Sequence, residues 1–419
     1  MAKTVETTSL SYFNHGSNSW RSRPVVSSGL YSLQATPPSY VGAFIPEPGS
    51  HGSWDGSYTQ ATQRLAMSIN NKMFITGRSQ GTGGVRWAGE FQIPTLSSSL
   101  NVNDLPLGLN TQDYRSVDAG PSSISNPIIS GMLEHDGQLM LTCYEHYDAD
   151  GSENKNVFVF EDARNIANAV TGAFSVDSGA FSGGYIVPIP AAYQASFGGR
   201  THLIGGGVGM AIAVRAQMGP NLSAFNASDV TNETVGGASI ASVPCSAYPY
   251  GDGTMLIGNE TQQTGDTNVS TVAQLGTSLI WNYLTRVGGV FNVPGTRTMM
   301  FVGHNWSGEG TIGYKITNDV GFPYAGYGPS ISTAWTNYYW LYDINDLIDG
   351  FNGTTPTSQI YPYEHGPIPF FPYSTPSTRI TGVCYDTVNN LMYASIAYGA
   401  TGRYNNGTPC ICAIDLGVS

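Results

Sequence analysis

Three glutamates follow predicted strands or lie in the loops beside them, where they could act on a sugar. Glu145 follows the apolar strand in TCYEHY, Glu309 lies in the loop HNWSGEG, and Glu364 lies in the connection YPYEHGP. Glycoside hydrolysis needs two carboxyl groups, one to protonate the leaving oxygen and one to activate water or attack the sugar. If the protein is an enzyme, these three are candidate catalytic residues. The alternative is that each is a hydrogen-bonded polar residue at a strand end.

Three histidines accompany these glutamates or end a strand of their own. His146 follows Glu145, His365 follows Glu364, and His304 ends the strand in FVGHNW. Histidine transfers protons near neutral pH, so each is a further catalytic candidate. A satisfied polar residue is again the alternative.

Aromatic residues lie close to these candidates and could stack on sugar rings. We predict a binding role for two groups of them, which are Trp306, Trp335 and Trp340, and Tyr361 and Tyr363. Such a surface would bind a carbohydrate without any turnover.

The sequence predicts neither a metal site nor a cofactor. Its five cysteines are an odd number, and Cys410 and Cys412 share one face of a strand, which favours buried thiols. No phosphate-binding loop, nucleophile elbow or dinucleotide fingerprint is present. Asp162, Asp229 and Asp346 recur after strands and are interpreted as caps of the following turns.

Internal repetition determines the predicted architecture. Four segments each consist of a strand, a turn rich in Asp, Asn, Gly or Pro, and a second strand, which is a hairpin signature. These segments are residues 64–78, 131–147, 289–305 and 382–398.

Further apolar strands complete each repeat and predict an all-β fold, a β-propeller of about five blades in a single domain spanning residues 1–419. Residues 4–13 alternate in polarity and are predicted to close the ring as an added strand. A many-stranded β-sandwich is the rival architecture. The predicted blades span residues 60–105, 126–168, 198–232, 286–349 and 378–416.

The segments GGRTHLIGGG, GTRTMMFVGHNWSGEGTIGY, YYWLYDINDL and ITGVCYDTVNNLMYASIAY occur in this order within residues 125–416. Together they resemble a group of propeller-like proteins of unknown activity found in bacterial, marine and phage sequence data. That group is similar in outline to the five-bladed propellers of furanosidase-type glycoside hydrolases. The resemblance implies the fold and assigns no catalytic residue.

Charge is scarce, at 11% of residues, and the formal net charge is −12. A phosphate backbone would repel such a chain, so we expect no nucleic-acid partner. No run approaches the ~20 apolar residues of a membrane span, and the N-terminal residues lack the apolar stretch of a signal peptide. A surface of hydroxyls and amides is typical of virion or extracellular proteins, so we expect one of these locations.

Three functions remain open at this point. The first is a non-enzymatic structural or adhesion protein of a phage particle, which contacts other virion proteins, copies of itself or a host or environmental glycan. The second is a secreted glycosidase or lyase with carboxylates in the propeller funnel. The third is a carbohydrate-binding propeller without turnover. Fold alone does not decide among them.

Overall fold

The computed structural model of the chain describes residues 10–14, 19–23, 38–47, 63–78, 86–116, 127–145, 156–166, 170–177, 182–206, 221–231, 239–247, 285–306, 335–368, 378–404 and 407–417. At some strand ends only the backbone is described, including that of Glu145, Trp306 and Trp335.

The described residues form 24 strands and a few short helices. In chain order, the strands are β1 (Leu10–Asn14), β2 (Ser19–Arg23), β3 (Ser39–Pro46), β4 (Leu65–Ser68), β5 (Lys72–Arg78), β6 (Arg86–Gln92), β7 (Leu107–Gly108), β8 (Asn110–Ser116), β9 (Pro127–His135), β10 (Gln138–Glu145), β11 (Val157–Phe160), β12 (Val170–Asp177), β13 (Tyr185–Pro188), β14 (His202–Gly205), β15 (Leu222–Phe225), β16 (Ser239–Ala241), β17 (Val243–Ser246), β18 (Arg286–Asn292), β19 (Thr298–Trp306), β20 (Trp335–Asp343), β21 (Glu364–Pro367), β22 (Arg379–Asp386), β23 (Leu391–Ala397) and β24 (Cys410–Asp415). The α-helices are α1 (Ala191–Gln194), α2 (Ala227–Thr231) and α3 (Ile344–Phe351), and the 3-10 helices are Val102–Asp104, Ala195–Phe197 and Thr357–Gln359.

Five sheets are the blades of a β-propeller, as the sequence predicts, and the sandwich alternative is wrong. From the innermost strand outward, blade 1 is β4-β5-β6-β8, blade 2 is β9-β10-β11-β12, blade 3 is β13-β14-β15-β17, and blade 4 is β18-β19-β20-β21. Blade 5 is β22-β23-β24-β3. Two short strands, β16 and β7, add in parallel to the outer edges of blades 2 and 5.

The strand that completes blade 5 comes from the N-terminal part of the chain. β3 pairs antiparallel with β24, and its Ala43, Phe44 and Ile45 are fully buried. The predicted closing strand at residues 4–13 is therefore wrong for its described part, because β1 pairs with β2 instead. Residues 4–9 lie outside the described residues. The run GAFI supplies the apolar side chains that closure buries, whereas alternation alone does not identify such a strand.

The predicted blade limits miss the outer strands. β8, β12, β17 and β21 all extend beyond the predicted units, and the inner strand of blade 3, β13, precedes its unit. Outer strands such as NTQDYRS and EHGP carry few apolar residues, so they lack the pattern from which strands are predicted.

Five clusters of buried side chains lie between neighbouring blades and close the ring. They join blades 1 and 2, 2 and 3, 3 and 4, 4 and 5, and 5 and 1. Strands in the middle of a blade are buried on both faces, which is why β11 reads VFVF. Burial of this apolar area is the main favourable term in folding.

The inner strands approach each other closely, and glycine permits this. A Cβ atom on Gly382 of blade 5 would lie 1.9 Å from the carbonyl oxygen of Gln63, which precedes the inner strand of blade 1. A Cβ atom on Gly289 of blade 4 would lie 2.3 Å from the carbonyl oxygen of Val383. The backbone contacts of the inner ring therefore leave no room for a side chain at these two positions.

Candidate functional site

The five inner strands begin at one end of a central channel, and the second strand of each blade ends there. We call this end the channel mouth and define it by five residues, which are Arg64, Tyr144, Arg286, His304 and Arg379. A cavity of about 530 Å³ runs along all five inner strands; Arg64 is the one mouth residue in its lining, which reaches Pro294 and Thr387 in the turns at the opposite end. At the other end, which we call the turn end, each inner strand turns back into the second strand.

Three arginines stand at the start of inner strands. Arg64 immediately precedes β4, and Arg286 and Arg379 are the first residues of β18 and β22. The two β18 and β22 hairpins each carry an extra inner-strand residue, Gly288 or Thr381, two positions after the arginine. A β-bulge of this kind bends the strand and changes the direction of the neighbouring side chains.

Arg64 reaches from blade 1 to blade 4. Its Nη1 donates a hydrogen bond to the carbonyl oxygen of Val287 at 2.6 Å. Blades 1 and 4 are not neighbours in the ring, so this contact passes in front of blade 5 and places Arg64 beside Arg286. Burial lowers the pKa of Arg64 to about 10, with a smaller decrease from the charge of Arg286. The guanidinium is still charged at neutral pH.

Arg286 is 8% exposed, and its Nη1 donates to the carbonyl oxygen of Thr285 at 2.7 Å. Its Nε and Nη2 are buried without a hydrogen-bond partner, and so is the Nε of Arg64. Burial lowers the pKa of Arg286 to about 10, with a further decrease from the charge of Arg379. Within the described residues, no ion pair involves Arg64 or Arg286.

His304 lies among these arginines, opposite Arg286 in the β18–β19 ladder. It is buried, and its Nδ1 donates to the carbonyl oxygen of Ile380 at 2.9 Å. Burial, and after it the charge of Arg379, holds the pKa of His304 well below its ordinary value. His304 is therefore a neutral imidazole with Nε2 as its acceptor nitrogen. The sequence predicted that His304 ends its strand, whereas β19 continues to Trp306.

Glu145 is the last residue of β10, directly after Tyr144, so its backbone lies at the channel mouth. Tyr144 is buried there, and burial raises its pKa although Arg286 and Arg64 oppose this. The side chain of Glu145, together with all of His146 and Glu309, lies outside the described residues. Their catalytic roles stay predictions.

Glu364 and His365 are not at the mouth. They begin β21, the fourth strand of blade 4, and pair with Leu341 and Trp340. The hydroxyl of Tyr339 donates to Glu364 Oε1 at 2.8 Å, and the hydroxyl of Tyr338 lies 2.8 Å from His365 Nδ1. Three strands separate this pair from the channel, so it cannot share a funnel with the mouth residues.

The predicted aromatic residues divide into two groups. Trp306 and Trp335 face each other in the ladder, at the mouth end of β19 and β20. Trp340 is fully buried between blades 3 and 4, and Tyr361 lies in the same core. Tyr363 is buried between blades 4 and 5, with its hydroxyl 2.6 Å from Thr298 Oγ1. Trp340, Tyr361 and Tyr363 are therefore core residues, and the predicted sugar-binding role is wrong for Trp340, which has no exposed ring face.

The chain is a five-bladed β-propeller that is similar to several solved structures at low identity. No protein-family model matches the chain, and no curated protein matches it. A candidate glycosidase from Bacteroides thetaiotaomicron is 11% identical, with a TM-score of 0.39, over 93% of this chain and 95% of its own. A β-xylosidase is 9% identical, with a TM-score of 0.42, over 90% and 94%. A protein of unknown function from Dyadobacter fermentans is 8% identical, with a TM-score of 0.36, over 91% and 100%.

Within the described ranges, no group of three or more His, Cys, Asp or Glu side chains converges. The five cysteines are free thiols, and burial raises the pKa of Cys245 and of Cys384. Among the described helices, none has the length and apolar character that crossing a bilayer requires.

The arginines of the mouth were missed by the sequence analysis, although a signal exists. The segments TRVGGVF at 285–291 and TRITGVC at 378–384 are two copies of one motif, and QRLAM at 63–67 begins a third hairpin with arginine. Arginines that recur at the start of inner strands come together around the central axis when these strands form a ring. Only the propeller geometry reveals this.

Proposed function

We propose that this protein is a non-enzymatic adhesion propeller that binds a glycan at the channel mouth. The observation that carries the proposal is the register of β19 and β20, which sets Trp306 opposite Trp335 at the mouth end of blade 4. Residues directly opposite in a ladder have Cβ atoms about 5 Å apart. The register therefore brings the backbones of two tryptophans side by side at the mouth end of the second and third strands of blade 4.

The composition of the connection between these tryptophans supports binding. Residues 307–334 include six Gly and three each of Tyr, Ser and Thr. Tyrosine supplies contact area at low entropic cost, and the small polar residues supply hydrogen bonds, as in the binding loops of antibodies.

A place on a virus particle, that of a phage, is part of the same proposal. Its support is compositional, since 11% charged residues and abundant hydroxyl and amide side chains favour an extracellular or virion surface. Light scattering of the full-length chain tests assembly. A closed oligomer agrees with a particle component, and a monomer at every concentration argues against it.

Glu145 favours a second candidate function, a carbohydrate-active enzyme, because its backbone lies at the mouth beside Tyr144. Hydrolysis of a panel of furanosides and pyranosides by the wild type and Glu145→Gln tests this. Turnover that the substitution abolishes establishes the enzyme, and no turnover by the wild type leaves the adhesion proposal in place.

A glycan array probed with the full-length protein tests adhesion directly. We expect binding by the wild type, loss of binding by Trp306→Ala and Trp335→Ala, and retention by Trp340→Phe, which alters a core tryptophan of the same strand. Equal binding by all four proteins, or none by the wild type, would contradict the proposal.

A further inference from the structure

The two arginines with incomplete hydrogen bonding lie side by side. Arg64 bonds to the carbonyl oxygen of Val287, the residue after Arg286. The guanidinium of Arg286 bonds to Thr285 just before β18, so both side chains reach the backbone around the start of that strand, one from within blade 4 and one from across the channel. The charge of Arg286 acts on Arg64, that of Arg379 acts on Arg286, and all three act on His304.

This cluster is costly in the absence of a counter-charge. A buried cation is stable when it is paired or when its N–H groups are hydrogen-bonded. Arg64 and Arg286 each make one hydrogen bond through Nη1, and neither forms an ion pair in the described part of the chain. Both Nε atoms and Nη2 of Arg286 are buried donors without a partner.

The local charge is also opposite to that of the whole protein. The chain carries 17 Lys and Arg residues against 29 Asp and Glu residues, yet three arginines converge at the mouth. An acidic protein gains no general stability from concentrating its few cations in one place. The arrangement is what recognition of an anion requires, because the planar guanidinium fork matches carboxylate and sulfate oxygens.

We infer that the channel mouth binds the anionic group of its ligand, a carboxylate or a sulfate, between Arg64 and Arg286. The anion accepts hydrogen bonds from the donors that lack partners and balances the clustered positive charge. That the ligand is a sugar rests on the proposed function, whereas the anion site does not.

Titration calorimetry and thermal unfolding at low ionic strength test the inference. The probes are sodium sulfate, with sodium chloride at equal ionic strength as its control, and glucuronate, with glucose as its control. The proteins are the wild type, Arg286→Met, Arg64→Met, and Arg164→Met as a matched control, since Arg164 lies on an exposed turn of blade 2.

We expect sulfate or glucuronate, but neither chloride nor glucose, to bind and to raise Tm in the wild type and Arg164→Met. The relative strength of the two probes distinguishes a sulfated from a carboxylated ligand. Each mouth variant loses about 10-fold or more in affinity, since charge-assisted hydrogen bonds are lost. Without ligand, Arg286→Met has a Tm equal to or above that of the wild type, because an uncompensated buried charge is replaced by an apolar chain.

Two results overturn the inference. One is an equal effect of sulfate and glucuronate on all four proteins. The other is a wild type that responds to neither anion, with ligand-free Arg286→Met unfolding at a lower temperature, which makes the arginine a structural residue. Because the wild-type titration needs no variant, a variant that fails to fold leaves the test intact. If the protein binds sulfate or glucuronate but no glycan on the array, the proposed function alone is contradicted. If it binds neutral glycans and Arg286→Met binds them equally well, the anion site alone is contradicted.

Discussion

The two ends of the central channel are built from the same first and second strands of the five blades and differ in the charge of their buried polar groups. At the turn end the chain reverses in short turns in four of the five blades, and residues that tolerate a positive φ occupy the strained positions of these turns. Asn70 and Asn71 have φ angles of 66° and 57°, and Asp136 and Gly137 have φ angles of 50° and 81°. At the channel mouth, buried arginines carry N–H groups that no described residue satisfies, whereas at the turn end the unsatisfied buried atoms include the Nε2 of His202, which belongs to a neutral ring.

We interpret the inter-blade cores and the turns as the features that stabilise the ring. They compensate for energetically unfavourable interactions at the channel mouth. Unfavourable features tend to collect at functional sites, where the rest of the structure compensates for them. Turn-end residues therefore should affect stability alone, and mouth residues should affect ligand binding. The predictions below test this division, from the largest expected effect to the smallest.

Close packing of the inner ring should give the largest effect. Gly382→Val places side-chain atoms on the backbone of Gln63, so we expect no folded protein, and Gly382→Ala should cost about 3 kcal/mol or more. Gly137→Ala at the turn end meets no atom within 4 Å and is strained only by its positive φ, for a cost of about 1 kcal/mol. Urea unfolding measures both. Equal costs at the two glycines would show that the inner strands are less closely packed than described.

Trp340 should matter to stability and not to binding. Its side chain is fully buried in the core between blades 3 and 4, so Trp340→Ala should cost about 3–5 kcal/mol. The milder Trp340→Phe should keep wild-type affinity for any mouth ligand, measured by calorimetry. A loss of affinity in a stably folded Trp340→Phe protein would return Trp340 to the binding surface.

Acid should destabilise the protein through two buried neutral histidines, one at each end. Burial, and after it the neighbouring His135, lowers the pKa of His202 at the turn end to about 3, and burial also lowers that of His304 at the mouth. In the unfolded chain, both histidines take up protons as the pH falls below their ordinary pKa of about 6.5, whereas in the folded chain they stay neutral. The free energy of unfolding is therefore highest above that pH and decreases as the pH falls. The loss is up to about 1.4 kcal/mol per pH unit for each histidine.

Urea unfolding of the wild type, His202→Gln and His304→Gln across this acidic range measures the two contributions. Each variant should show a shallower loss than the wild type. Sulfate at the mouth should reduce the contribution of His304, because an anion favours its protonation, and leave that of His202 unchanged. Identical pH dependence in all three proteins would contradict the neutral state of both rings.

Glu364 should give the smallest effect. Its carboxylate accepts one hydrogen bond from Tyr339 on the outer strands of blade 4, and glutamine can accept the same bond. Glu364→Gln should cost less than about 1 kcal/mol and leave ligand affinity at the mouth unchanged. Loss of binding or of turnover in this variant would mean that the outer edge of blade 4 takes part in function.

The sequence predicted the hairpins because their signals are local. The turn Asp136-Gly137 and the apolar runs on either side identify β9 and β10 without reference to the rest of the chain. Outer strands such as β8 and β21 were missed because partners rather than their own residues hold them in the sheet. The N-terminal cap of α3 was also predicted at the wrong residue. Asp346 was interpreted as the cap, but the side chain of Asp343 accepts the hydrogen bond from the backbone N–H of Asn345.

The candidate site could be predicted only in part, for a related reason. His304 was singled out as the end of a strand that in fact continues to Trp306. Trp340 was misassigned because the sequence does not tell which face of a strand lies between blades. Arg64 and Arg286 are more than 200 residues apart, and the hydrogen bond to Val287 that joins them spans 223 positions. A local sequence pattern does not predict a contact between residues on non-neighbouring blades.

A crystal structure of the full-length protein grown with sodium selenate is the most direct test of the difference between the two ends. Selenate has the shape and charge of sulfate, and its selenium is located by anomalous scattering. We predict a selenium position at the channel mouth, within hydrogen-bonding distance of the Nε of Arg64 and the Nε and Nη2 of Arg286, and none at the turn end. A mouth without selenium, or a carboxylate of this chain on those nitrogens, would contradict the account.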